Sequence, residues 1–82
     1  MPHVVAACSS VGPFTGGLSE FDVEADTVGR LIVALDARFP NFGEHIRKHM
    51  AIAIDGEIHQ GADAAALTPT SEVFLIPRIS GG

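Results

Sequence analysis

The stripe Val28, Leu31, Ile32, Leu35 and Phe39 recurs at helical spacing until Pro40 breaks it, and no other stretch of the 82 residues repeats that pattern at comparable length. Asp26 or Thr27 stands where an N-cap belongs, so the helix starts there and ends before the proline. Gly29 costs about 1 kcal/mol against alanine inside a helix, which marks close packing or a frayed first turn. One long helix with one apolar face must bury that face against something. In a chain this short the partner is one sheet, giving two layers.

The strands are legible around it. Residues 3–8 form an apolar run with two valines and read as a buried strand, and residues 9–17 read as a loop. From Leu18 the pattern alternates: Phe21, Val23 and Ala25 fall on one side, Glu20, Asp22 and Glu24 on the other, as on a half-exposed edge strand. After a turn at Asn41, a weak second helical segment is expected from Glu44 to His49. Residues 50–54 make a third strand, and Asp55-Gly56 predicts a tight hairpin because both central positions of a type I′ turn need positive φ. Residues 57–59 return as a short strand, and residues 62–67 form a brief alanine-rich turn or helix. A second turn at Pro69, Thr70 and Ser71 leads to a last strand over 73–76 ending at Pro77. With the first and last strands parallel in the middle, this order is the β-grasp (ubiquitin-like) arrangement: an α+β fold with a mixed sheet of four to five strands and one main helix on one face. Residues 1–82 are expected to be a single domain with 77–82 as an extended tail.

Composition excludes several functions. A net charge of -5, with five basic residues, cannot supply the clustered cations of a nucleic-acid or anionic-membrane surface. No apolar run approaches the ~20 residues that span a bilayer. The box Val5-Ala6-Ala7-Cys8 is lipoprotein-like, but too few residues precede it for a signal peptide. A lone cysteine, Cys8, cannot form an internal disulfide; it fits a cytoplasmic protein and reads as buried packing.

The tail narrows the function. At ~7% usage, two terminal glycines occur by chance in only about 0.5% of chains, so Gly81-Gly82 asks for a reason. Glycine suits a terminus that enters a narrow slot, since no Cβ obstructs the approach. Six residues from Pro77 reach up to ~20 Å. The terminal carboxylate is ionised at neutral pH and a poor electrophile, so it must be activated before acyl chemistry, for example by adenylation on another enzyme. The bland alternative is a tail without a role.

The segment Ile54-Asp55-Gly56-Glu57, then Leu67, then Glu72-Val73-Phe74-Leu75-Ile76-Pro77-Arg78-Ile79-Ser80-Gly81-Gly82 closely resembles the MoaD/ThiS sulfur-carrier family, nearest to the small subunit of molybdopterin synthase. The likeness includes the strand-to-helix junction from Glu24 to Phe39. Two departures stand out: Arg78 where the family often has a second proline, and Thr70-Ser71-Glu72 in place of a glycine-aspartate-glutamate turn. The resemblance implies that an E1-like adenylating enzyme uses ATP to activate Gly82 and that a sulfur-donor enzyme converts it to a thiocarboxylate. Gly81 and Ser80 would then give access to the large subunit of molybdopterin synthase, in a heterotetramer, where the sulfur builds the dithiolene of molybdopterin. Phe74, Ile76, Pro77, Arg78 and Ile79 would dock the partners. The catalytic groups would belong to those partners, and the chain itself would hold no stable cofactor or metal.

Other features have competing readings. His45 and His49 share a zinc-ligand spacing, yet no third ligand is evident, and with Arg47 and Lys48 they read as a solvated basic patch. Gly12-Pro13-Phe14-Thr15-Gly16-Gly17 lacks the Gly-Lys-Ser/Thr ending of a phosphate loop and reads as a mobile hairpin loop, with Phe14 packed over a sheet end. The acidic stripe Glu20, Asp22 and Glu24 reads as edge protection. Alternation in the last strand predicts that, if Val73 and Leu75 face the helix, Phe74 and Ile76 form an exposed apolar patch beside the tail. A ferredoxin role fails for want of cysteines, and no nucleophile-base constellation marks an enzyme. The alternatives left open are a carrier for thiamine or cysteine biosynthesis and a ubiquitin-like modifier or interaction module.

Overall fold

The computed structural model describes residues 1–6, 11–59 and 63–77. In chain order its elements are β1 (His3–Val5), α1 (Gly12–Thr15), β2 (Glu20–Asp22), α2 (Val28–Arg38), α3 (Phe42–His49), β3 (Met50–Ile54), β4 (Glu57–His59) and β5 (Glu72–Pro77). Among the described residues these strands form a five-stranded sheet in the order β2-β1-β5-β3-β4. β1 and β5 run parallel, and every other neighbouring pair is antiparallel. This is the β-grasp order expected above, with the acidic β2 at an edge.

The α2 stripe behaves as its spacing dictates. Val28, Leu31, Ile32 and Leu35 are buried, and they meet Val4, Ile52, Val73 and Leu75 from the sheet in one core. The Thr27 side chain caps the helix by accepting from the Arg30 backbone N–H at 3.2 Å. Gly29 is tightly packed rather than frayed: its N–H donates to the Asp63 carbonyl at 2.9 Å, and a Cβ there would lie 3.2 Å from that oxygen. The hairpin turn has φ 49° at Asp55 and φ 90° at Gly56, both positive as the type I′ geometry requires.

Four local expectations are corrected. Residues 12–17 are not a hairpin loop: Gly12–Thr15 makes one helical turn with Pro13 in its first turn and a left-handed Gly16 as C-cap. Thr15 is buried and its hydroxyl donates to the Val11 or Leu18 carbonyl, tying the turn to the core. α3 begins at Phe42, two residues before Glu44, because the Asp36 carboxylate on α2 accepts from the Gly43 N–H at 3.0 Å and satisfies one of the helix's orphan donors. The described part of 62–67 is a turn at Asp63 and Ala64, followed by an isolated bridge between Thr27 and Ala66, and is not helical. Finally, β5 includes Pro77, whose register partner is Met50, so the tail expected from 77 starts inside the strand.

At the β2 edge, His3 sits between two carboxylates. Its Nδ1 lies 3.0 Å from Asp22 and its Nε2 2.8 Å from Glu20. The hydrogen bond with Asp22, then that with Glu20, holds the imidazole above its ordinary pKa of 6.5. No spacing in the sequence points to this clamp, because the partners are brought together only by the β1–β2 register, His3 opposite Asp22 and Val5 opposite Glu20.

Two outcomes follow for stability. A Cβ at Gly43 would come within 2.9 Å of the Asp36 Cβ; Gly43→Ala is expected to lower unfolding stability by about 1–3 kcal/mol in urea denaturation. Because the folded chain raises the His3 pKa, the clamp's stabilisation is complete below pH 6.5 and fades as pH rises through the raised value. The gap in denaturation midpoint between wild type and His3→Gln is therefore expected to shrink on going from mildly acidic to alkaline buffer. A gap that widens with pH would contradict it.

Candidate functional site

Gly82, Gly81, Ser80, Ile79 and Arg78 lie outside the described residues, as does Cys8. The root of the tail is described. Pro77 ends β5, the central strand, flanked by β1 on one side and β3 on the other. Its partner Met50 directly follows His49, so the C-terminal turn of α3 stands at the pole where the chain leaves the sheet.

The two faces of β5 divide as alternation predicts. Val73 and Leu75 are buried against the helices, whereas Phe74 is 37% exposed and Ile76 half-buried on the opposite face. Cross-strand register extends that outer face over the whole sheet. Glu20, Val5, Phe74, Ala53 and Ile58 are successive partners across all five strands, and Ile76 is paired with Ala51. Partners in register project on the same side, so Val5, Phe74, Ala53 and Ile58 form an apolar row. Ile58 is 62% exposed. Alternation could not reveal it, since a three-residue strand gives no period to read. At the start of β5 the row Asp22, His3, Glu72 is polar. Asp55 joins it by accepting from the Glu72 N–H at 3.0 Å while its own N–H donates to the Glu72 carbonyl at 2.9 Å.

The remaining candidates resolve into structural roles. Phe14 stacks on Phe42 at 5.5 Å and tilts against His45 at 4.8 Å between ring centroids, which is packing. His45 and His49 rings are 5.2 Å apart, and burial, then the nearby His49 charge, pushes the His45 pKa down. Among the described residues no group of three His, Cys, Asp or Glu side chains is placed to hold a metal. The basic patch of α3 is largely compensated: Arg47 reaches both oxygens of Asp63 at 3.0 and 2.8 Å, and Lys48 pairs with Glu44 at 2.8 Å. Of the acidic stripe, Glu20 and Asp22 hold His3, while Glu24 lines a depression of about 370 Å³ with Met1, Pro2, Asp26 and Arg30. No nucleophile stands beside a base there among the described residues. No helix among them is long and apolar enough to cross a membrane.

Comparison with known proteins agrees with this architecture. CysO of Mycobacterium tuberculosis, described as an antigen, superposes with a TM-score of 0.84 at 21% identity over 96% of this chain and 100% of its own. A chain of the Amycolatopsis orientalis BexX/CysO complex gives 0.84 at 16% identity with 100% of both chains covered. SAMP1 from Haloferax volcanii gives 0.69 at 24% identity over 98% of this chain and 97% of its own. At these identities the likeness is one of fold. No curated protein matches the chain. The model of the ThiS family matches residues 13–82, from the α1 turn to the terminal glycine. A match over that span, on a sheet of this order with the tail rooted in its central strand, means that the chain belongs to the ThiS family, the sulfur-carrier group that its tail sequence resembles.

Proposed function

We propose that the chain is a sulfur carrier whose Gly82 carboxylate is converted to a thiocarboxylate, with molybdopterin synthesis as its pathway. The observation that carries this is the family match running through Gly81-Gly82 to the last residue. An E1-like enzyme would transfer AMP from ATP to the Gly82 carboxylate, releasing pyrophosphate and creating a good leaving group. A persulfide on a donor enzyme would then attack the Gly82 carbonyl and displace AMP, and a thiol reductant would cleave the resulting acyl disulfide to leave the thiocarboxylate. Gly81 leaves the carbonyl unobstructed and Ser80 keeps the approach narrow. Phe74, Ile76, Pro77, Arg78 and Ile79 would contact the partner at the mouth of its slot. In the large subunit of molybdopterin synthase the thiocarboxylate sulfur would bond to a cyclic pterin precursor, and water would cleave the acyl–sulfur bond, returning Gly82 to a carboxylate. The chain supplies no catalytic side chain of its own, needs no bound cofactor, and works in the cytoplasm beside ATP-dependent partners.

A second reading keeps the chemistry and changes the acceptor. The two CysO superpositions, each covering nearly the whole chain, favour delivery of the sulfur into cysteine biosynthesis. Incubating thiocarboxylated protein with the large synthase subunit and pterin precursor, or with a cysteine-forming enzyme, separates the two by which reaction consumes the sulfur.

Intact-mass measurement after incubation with ATP, the activating enzyme and a sulfur donor is expected to show exchange of one oxygen for sulfur. Deleting Gly82 is expected to remove that change completely and leave the melting temperature unaltered. Sulfur transfer by the truncated chain, or an amide to a partner lysine in place of the exchange, would overturn the carrier reading.

A further inference from the structure

Two imidazoles stand side by side on the last turns of α3. His45 and His49 are four residues apart, so both rings rise from one face of the helix, and their centroids are 5.2 Å apart. With Zn–N bonds of about 2.1 Å and a ring radius of about 1.1 Å, two imidazoles on one tetrahedral ion have centroids roughly 5.2 Å apart. The separation in the folded chain is therefore that of a chelating pair. His45 is half-buried and wedged against Phe14 and Phe42, with ring centroids 4.8 and 6.5 Å away, which fixes its plane; His49 is exposed and supplies the adjustable partner. Burial, then the charge of His49, keeps His45 below its ordinary pKa of 6.5, so at pH 7 its ring carries a lone pair for a metal rather than a second proton.

The charges around the pair admit a cation. Lys48 is paired with Glu44 at 2.8 Å and Arg47 with Asp63 at 2.8 Å, so each neighbouring cation on α3 has a carboxylate beside it. The two histidines line a depression of about 300 Å³ with Phe14, Asn41, Glu44 and Lys48. Among the described residues no third histidine, cysteine or carboxylate joins them, so they give an ion two ligands. The pair also stands at the pole from which the tail departs. Met50, the residue after His49, is the register partner of Pro77, which puts the root of the tail within about 9 Å of the His49 Cα. Residues 78–82 span at most about 17 Å, so the terminus has the length to meet the pair. A thiocarboxylate there is an anion with a soft sulfur donor, the ligand type that zinc takes alongside imidazole.

We propose that His45 and His49 bind one divalent ion of the zinc type and that the Gly82 thiocarboxylate sulfur of the same chain becomes its third ligand. This rests on the sulfur-carrier reading for the sulfur, while the histidine pair stands on the fold alone. The third ligand that the sequence lacks is made only when the chain is charged. Each bond forms from a ring or sulfur lone pair as water leaves the ion, and nothing is oxidised or reduced. Transfer of the sulfur does not need the ion; coordination holds the charged terminus against the domain until an acceptor enzyme takes it.

Calorimetric titration of the full-length chain with zinc chloride tests both halves. The carboxylate form is expected to take up one ion, and His49→Asn to weaken that binding about tenfold or more, with circular dichroism unchanged because His49 is exposed. His45→Asn is expected to weaken it likewise, and zinc to raise the melting temperature of wild type but of neither variant. The thiocarboxylate form can be made without the activating enzyme, by treating an intein thioester of the chain with sulfide. It is expected to bind zinc about tenfold or more tighter than the carboxylate form, a gain that His49→Asn removes. Wild-type zinc affinity in both histidine variants, or no saturation of wild type below about 1 mM zinc, overturns the proposal. So does equal affinity of the carboxylate and thiocarboxylate forms, or a zinc-dependent dimer in sedimentation, because the sulfur of the same chain would then not be the third ligand. The mass exchange at Gly82 is read separately: zinc binding by the pair without enzymatic exchange sinks the carrier reading alone, and exchange with unaffected histidine variants sinks the metal site alone.

Discussion

The parallel pairing of β1 with β5 governs the rest of the molecule. Parallel neighbours cannot be joined by a tight turn, so everything between Val5 and Glu72 must serve as a crossover. That crossover contains β2, which closes one edge, the helices, which cover one face, and the β3–β4 hairpin, which completes the other edge. Because the pairing is parallel, the exit of β1 and the exit of β5 lie at one pole. The α1 turn and Pro77 therefore share an end of the domain, and the hairpin turn at Asp55 falls at the opposite end beside the start of β5.

Aromatic packing shows how unevenly the two faces are treated. Four of the five phenylalanines gather on the helix side: Phe14 on Phe42, Phe21 tilted against Phe39 at 5.2 Å, and Phe39 edge-on to Phe42 at 6.0 Å. Arg38 spreads its guanidinium over Phe21 and Phe39 and closes the cluster toward solvent. The fifth, Phe74, points the other way and remains partly open. A domain of this size has only enough helix for one layer, so apolar residues of the second face such as Phe74 and Ile58 remain exposed.

The parts of this structure that the sequence discloses are those in which one segment decides alone. The α2 stripe, its Thr27 cap, the Asp55-Gly56 turn and the inside-outside split of β5 each depend on neighbours within a few residues. The α1 turn was hidden because its stability comes from Phe14 meeting Phe42 and His45, far along the chain. The start of α3 was hidden because Asp36 caps it from another helix. Arg47 looked like part of a bare basic patch until the fold carried Asp63 to it. In the candidate site, the terminal glycines and the Phe74–Ile76 face are readable from composition and alternation, while Ile58 and the His3 clamp depend on register, which no single segment encodes.

The position of Pro77 has a mechanical meaning. A proline contributes no N–H to a ladder, so Pro77 can join β5 to its neighbours only through its carbonyl. Traction on the tail along β5 is borne by a strand with paired neighbours on both sides, and the ladders to β1 and β3 are loaded in shear, many bonds at once, rather than peeled one at a time from an edge. A load entering the chain through Pro77 therefore meets a strand held from both sides rather than one held at an edge.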